Sequence, residues 1–85
     1  MNLSLKQTNI MKEKIKKLKK IFQKIIYKKK ISDKFFLKLK INKIKEWDSM
    51  QNMHFLLEIE KGFSIKFSFK EMNELNSINK IIKRI

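Results

Sequence analysis

Trp47-Asp48-Ser49-Met50 is the stretch on which the reading of this chain turns. Asp48 is a preferred N-cap residue, because its carboxylate accepts hydrogen bonds from the first free backbone N–H groups of a helix. Ser49 then takes the first helical position, with an exposed hydroxyl at the positive end of the helix dipole. A phosphate ester on that hydroxyl would lie in the field of the helix and beside its free amides. The helix opened here is expected over Ser49 to Lys61, with Gly62 placed to end it at C′. Met53, Leu56 and Leu57, with Met50 and Phe55 nearby, mark its buried side, and Ile59 and Phe63 extend the apolar surface. The bland alternative is an Asp-Ser pair that caps a helix and does nothing else.

Upstream, Met11, Ile15, Leu18, Phe22 and Ile25 follow one another in steps of four, three, four and three, the stripe of an amphipathic helix. The spacing predicts a first helix over Ile10 to Lys29, with lysines on its outer face. Lys28, Lys29 and Lys30 would then meet its negative C-terminal end. Residues 1–9 are polar and aperiodic and are expected to be a frayed lead-in to a single domain over 10–85. Between Ile31 and Trp47 the alternation Leu37-Lys-Leu39-Lys-Ile41 imitates a strand. No partner strand is evident nearby, and a lone strand has nothing to pair with. This segment reads as a long ordered loop with one short turn, its apolar side chains lying over the helices.

Downstream, Phe63-Ser-Ile65-Lys-Phe67 again imitates a short strand. Ser68-Phe69-Lys70-Glu71 matches a capping box and should start a short helix to about Leu75. Asn76-Ser77 offers another cap, before Ile78, Ile81, Ile82 and Ile85 at helical spacing. The expected fold is all-α: a small four-helix bundle of three longer helices and one short one, with a long loop between the first two longer helices.

Composition bounds the function. Eighty-five residues make one small domain with a thin core. Cysteine is absent, so neither a disulfide nor a thiolate metal site supplements that core. His54, the single histidine, has no carboxylate spaced to join it as a metal ligand or to orient it as a base. No apolar run approaches the roughly 18 residues needed to cross a bilayer, and no apolar signal region opens the chain, so a cytoplasmic location is expected. The formal charge is +14, with twenty-one lysines and one arginine. Residues 1–47 hold sixteen lysines against Glu13, Asp33 and Glu46, whereas residues 48–85 are nearly balanced. A composition rich in Lys, Ile and Asn fits an A+T-rich coding bias as readily as selection for a basic surface.

Residues 47–85 resemble the acyl carrier proteins, the phosphopantetheine-bearing four-helix family. The likeness rests on Asp48-Ser49-Met50 in the place of Asp-Ser-Leu and on the apolar pattern of the helix that follows. It continues through Glu60-Lys-Gly-Phe63-Ser-Ile65-Lys-Phe67, a short helix bearing Glu71 and Glu74, and the step Leu75-Asn76-Ser77-Ile78 into the last helix. The tripeptide alone is a weak signal; the ordered set at fixed spacing is a strong one. Tryptophan directly before Asp-Ser resembles discrete acyl and peptidyl carriers of specialised pathways more than the carriers of fatty-acid synthesis. The chain departs from the pattern at Gln51, where an acidic or small residue is usual, and at His54, often Glu. It also has Ile44-Lys-Glu-Trp47 in place of a leucine-glycine step. The acidic charge of the recognition helix is thereby reduced to Glu58 and Glu60.

The resemblance implies that Ser49 accepts 4′-phosphopantetheine from coenzyme A through a separate magnesium-dependent phosphopantetheinyl transferase. Asp48 would lie beside the attachment site and Met50 next to the arm. An acyl or aminoacyl group would travel as a thioester on the arm's thiol, among a loading enzyme and a downstream synthase or transferase of fatty-acid, polyketide or other biosynthesis. The protein would catalyse nothing itself and act as a monomer. Gln51, His54 and Glu58 would face partner enzymes on the recognition helix. Met50, Met53, Phe55, Leu56 and Leu57 would be plain core or, in part, the lining of a space for an acyl chain. Trp47 is expected to anchor the loop end to the bundle.

The rival reading is a basic helical module that binds nucleic acid or membrane and carries no prosthetic group. Against nucleic acid stand the spread of lysines around a polar face, the near absence of arginine and the lack of interleaved aromatic residues.

Overall fold

The computed structural model describes residues 3–85, with side chains described from Asn9 onward. Five helices follow in order: α1 Leu3–Ile25, α2 Asp33–Phe36, α3 Ser49–Phe63, α4 Phe69–Glu74 and α5 Ile78–Arg84. No strand occurs among the described residues, so the fold is all-α, as the periodicities require.

The predicted stripe of α1 is the one that packs. Leu18, Phe22 and Ile26 are buried, with Ile15, Ile21 and Ile25 against them. The limits of the helix differ from expectation. It begins at Leu3, so the expected lead-in is helical from that residue on, while Met1 and Asn2 lie outside the described residues. It ends at Ile25 rather than Lys29. The amides of both Ile26 and Tyr27 turn to the carbonyl of Phe22, at 2.8 and 3.1 Å, and the Gln23 side chain donates to the carbonyl of Lys29 at 3.1 Å. The lysine run thus follows the helix, and Lys24 is the basic residue of its last turn.

The expected single turn in the 31–47 segment is α2, capped by Ser32, whose hydroxyl accepts from Phe35 N. The alternation after it is expressed, and it does find a partner. Lys40 forms an isolated antiparallel bridge with Ser77. Ile41 N donates to Asn76 at 3.0 Å, and Ile78 N donates to Leu39 at 3.1 Å. Leu39 is buried between half-buried Leu37 and Ile41, while Lys38 and Lys40 face solvent. Two backbone bonds therefore stitch the loop to the entrance of α5.

The core is one cluster of Leu18, Phe22, Phe36, Leu39, Trp47, Phe55, Leu56, Ile59 and the isoleucines of α5, joined by Ile26, Phe67 and Leu75. Phe22 is its hub. Its ring meets those of Phe36, Trp47 and Phe55 edge-on, with centroids 5.2, 5.2 and 5.3 Å apart.

Gly62 does not stop α3. It is helical, with no positive φ, and Ser64 takes the left-handed conformation at φ 54° and ψ 47°. The amides of Ser64 and Ile65 close on the carbonyl of Glu60, the bonding of a helix end that an αL residue completes. Glycine stands at 62 for close packing: a Cβ there would lie 2.9 Å from Cδ1 of Ile21 on α1. α4 opens on the expected capping box of Ser68 and Glu71, and α5 on Ser77.

Two outcomes are expected. Gly62→Ala should leave stability within about 1 kcal/mol, because the gain in helix propensity offsets a contact that the end of the Ile21 side chain can relieve. Gly62→Leu should cost about 1–3 kcal/mol by overpacking; urea unfolding of the two variants checks both. The second concerns Glu71, whose carboxyl is held below its ordinary value near 4.5 by its hydrogen bond from Arg84, helped by the Ser68 amide. A carboxylate with a depressed folded pKa contributes stability above its unfolded pKa, and that contribution disappears as pH falls through the folded value. Glu71→Gln should therefore lower the melting temperature at neutral pH and narrow its difference from the parent chain as pH falls below about 4.5.

Candidate functional site

Ser49 is the first residue of α3 and is exposed. Asp48 is the N-cap, extended at φ −102° and ψ −175°, and its Oδ1 accepts from Gln51 N at 2.9 Å. The Asp48 carbonyl accepts from Asn52 N at 2.9 Å, starting the helical ladder. The amides of Ser49 and Met50 belong to the first turn, whose N–H groups have no intrahelical acceptor. The Ser49 residue is thus exposed at the first turn of a fifteen-residue helix, beside N–H groups that lack an intrahelical acceptor and at the positive end of the helix dipole.

What holds this corner is buried. Trp47, one residue before the cap, is fully enclosed, and its ring packs edge-on against Phe22 and Phe55. Its Nε1 donates to Oδ1 of Asn52 at 3.0 Å, and Nδ2 of Asn52 donates to the carbonyl of Leu75 at 3.0 Å. Asn52, only 4% exposed, therefore ties together the indole, α3 and the turn between α4 and α5. Asn42, in the left-handed region at φ 69°, donates its amide to the Trp47 carbonyl at 2.8 Å and closes the loop from the other side. The anchoring role expected of Trp47 holds; Asn52 was not singled out from sequence. Its only trace there is a polar residue one turn below the cap and in line with Leu56 and Ile59.

The second buried polar group is Glu60, whose Oε2 accepts from Phe67 N at 2.7 Å. Glu60 therefore fastens the chain beyond α3 and is not a surface charge. Glu58 is half-buried and pairs with Lys61 at 3.5 Å. No buried side-chain nitrogen or oxygen among the described residues lacks a hydrogen-bond partner.

The buried face of α3 consists of Asn52, Phe55, Leu56, Ile59 and Glu60. This corrects the sequence reading at three positions. Met50, Met53 and Leu57 are 79%, 40% and 43% exposed and form an outer stripe with His54. The helix is turned so that Phe55 faces Phe22 and Ile59 joins the core, and Asn52 and Glu60 can enter the interior because each finds partners there. Of the residues assigned to partner contact, His54 is exposed, and Gln51 and Glu58 are half-buried.

A groove of ≈ 630 Å³ opens beside Ser49, lined among others by Lys40, Asn42, Asn73, Ser77 and Lys80. Among the described residues, no group of three or more metal-ligating side chains gathers, and no helix is long and apolar enough to cross a membrane. No protein-family model matches the chain, and no curated protein or solved structure matches it.

Asn52→Leu would leave the Trp47 N–H and the Leu75 carbonyl buried and unpaired, at about 1–3 kcal/mol for each group. A loss of about 2–6 kcal/mol in urea unfolding is expected, together with a shift in Trp47 fluorescence; Asn73→Leu, on the exposed face of α4, should change neither.

Proposed function

We propose that the chain is a carrier protein of the acyl-carrier type, a small bundle in which α1 and α3 are long and α4 and α5 short, where three longer helices were expected, plus the single turn α2. In this reading Ser49 bears a 4′-phosphopantetheine arm and shuttles a thioester-bound acyl or aminoacyl group between separate enzymes. The observation that carries the reading is the exposed Ser49 hydroxyl at the first turn of α3, next to the Asp48 cap and a buried Trp47. The ordered motifs from Asp48 to Ile78 support it.

The site suits the group chemically. Attachment forms an Oγ–P bond at Ser49 and breaks the pyrophosphate P–O bond of coenzyme A; adenosine 3′,5′-bisphosphate leaves and the hydroxyl proton goes to the transferase or to water. The chain needs only to present the hydroxyl in a fixed place, clear of the core, with unbonded amides nearby to face the phosphate. When bound, the arm supplies the thiol that the cysteine-free chain lacks. Asp48 holds the backbone at the attachment point through its bond to Gln51 N. Met50, Met53, His54 and Leu57 give incoming enzymes an apolar, weakly charged face on α3 in place of an acidic one. The phosphopantetheinyl transferase, the loading enzyme and the downstream synthase are the implied partners.

A second reading draws on α1. Ile10 and Met11 are 52% and 46% exposed among its lysines, as on a helix that binds an anionic membrane or nucleic acid.

Intact-mass spectrometry after incubation with coenzyme A, magnesium and a broad-specificity phosphopantetheinyl transferase separates the two. The expected result is a gain of one phosphopantetheine, lost in Ser49→Ala, with the melting temperature of that variant unchanged within the effect of an exposed substitution, about 0.5 kcal/mol. Folded protein that gains nothing from several transferases would leave the α1 reading in possession.

A further inference from the structure

The groove beside Ser49 differs from the rest of the surface in what it brings together. Lys40 enters from the loop, facing Ser77 across the antiparallel bridge, and Lys80 comes from the first turn of α5. The two bonds Ile41 N to Asn76 and Ile78 N to Leu39 hold the two sides in register. Ser49 shares this groove, so two lysines on separate elements line the cleft that also holds the one hydroxyl to which the carrier reading assigns a phosphate.

Neither lysine is paired: the ion pairs among the described residues are Lys19–Asp33, Lys61–Glu58 and Arg84–Glu71. No carboxylate lines the groove. Asp48, the nearest in sequence to Ser49, directs Oδ1 to Gln51 N. Glu74 lines an adjoining groove with Lys80 and Lys83 and forms no ion pair among the described residues. Neutral donors complete the set. Ser77 Oγ accepts from Lys80 N at 3.2 Å, which leaves its hydroxyl proton free to donate, and Asn42, whose backbone N–H is taken by the Trp47 carbonyl, brings a side-chain carboxamide to the lining residues. A cleft with two cations, neutral donors and no acid in its lining selects an anion with several acceptor oxygens, for which lysine serves as a point charge.

We infer that this groove is a phosphate subsite in which Lys40 and Lys80 hold the phosphodiester that joins the arm to Ser49. The inference rests on the carrier reading for the source of the phosphate; the same chemistry would take a phosphate ester from a separate molecule.

The test is a titration of the apo protein with inorganic phosphate at constant ionic strength, followed by backbone amide NMR. Saturable shifts at Lys40, Asn42, Ser49 and Lys80 are expected. Lys40→Gln/Lys80→Gln should weaken the binding roughly tenfold, since each exposed charge contributes a few-fold, whereas Lys12→Gln/Lys16→Gln on α1 should not weaken it. Circular dichroism of the variants shows whether each is folded. Shifts spread evenly over the lysines of α1, or unaltered in the groove variant, would overturn the subsite. The arm itself is addressed with the phosphopantetheinylated protein, which should no longer take up free phosphate and should show a 31P resonance displaced by the groove variant. Persistent phosphate binding in that form, or a 31P resonance indifferent to both lysines, would overturn the assignment to the arm. Failure to gain the arm at all defeats the carrier reading, while the apo titration still decides whether the groove binds phosphate.

Discussion

The Phe22 ring is the point on which the other parts of this fold converge. It brings α1 into edge-on contact with α2 through Phe36, with the loop end through Trp47 and with α3 through Phe55. Such pairs contribute about 0.5–1.5 kcal/mol each beyond the area they bury, and in a domain of this size a few of them are a large share of net stability. Trp47 is also the residue before Asp48. The packing that closes the core therefore fixes the backbone at the cap, and the cap fixes Ser49. Within three consecutive residues the chain passes from a fully buried ring to a bonded carboxylate to an exposed hydroxyl. A serine that is both accessible and held in place follows from that order.

The charge of +14 bears little on this core. Its lysines lie outside, and the surface ion pairs among the described residues are of the kind that contributes about 0–1 kcal/mol. Where charge or polarity is buried it is matched: Glu60 by the Phe67 amide, Asn52 by the indole and a carbonyl. The excess lysines act on the surroundings through a positive field that draws anions toward the molecule. The groove at Ser49 differs from that general field because its two lysines stand on separate elements pinned together by backbone bonds.

Features set by neighbouring residues were legible in the sequence. Asp48, Ser68 with Glu71, and Ser77 all cap the helices they appear to cap, because a cap is an interaction across three residues. The stripe of α1 was legible for the same reason, since periodicity is local. Features set by partners far along the chain were not. The pairing of Lys40 with Ser77 spans a separation that no window over 37–41 contains, so the alternation there looked partnerless. The role of Gly62 depends on Ile21 of another helix, and glycine as a helix stop and glycine as a packing notch look alike in sequence. The end of α1 at Ile25 turns on the Phe22 carbonyl receiving two amides, which apolar spacing does not report.

The rotation of α3 shows why one of these misses bears on function. Apolar residues alone admit two settings of this helix, since Met53 and Leu57 are as hydrophobic as Phe55 and Ile59. Burying the first pair would rotate Asn52 about a third of a turn from the centre of the buried face, away from the bonds to Trp47 and Leu75 that it makes inside, whereas Glu60 lies between the two settings. A buried polar group that is satisfied in only one arrangement selects that arrangement, because in any other its partners are left desolvated and unpaired. The observed setting satisfies all of them and leaves Met50, Met53 and Leu57 outside. Asn52, which binds the indole and the Leu75 carbonyl, thereby selects which face of the helix stands next to Ser49. Interior polarity sets the exterior surface, and the apolar stripe is a consequence of the core.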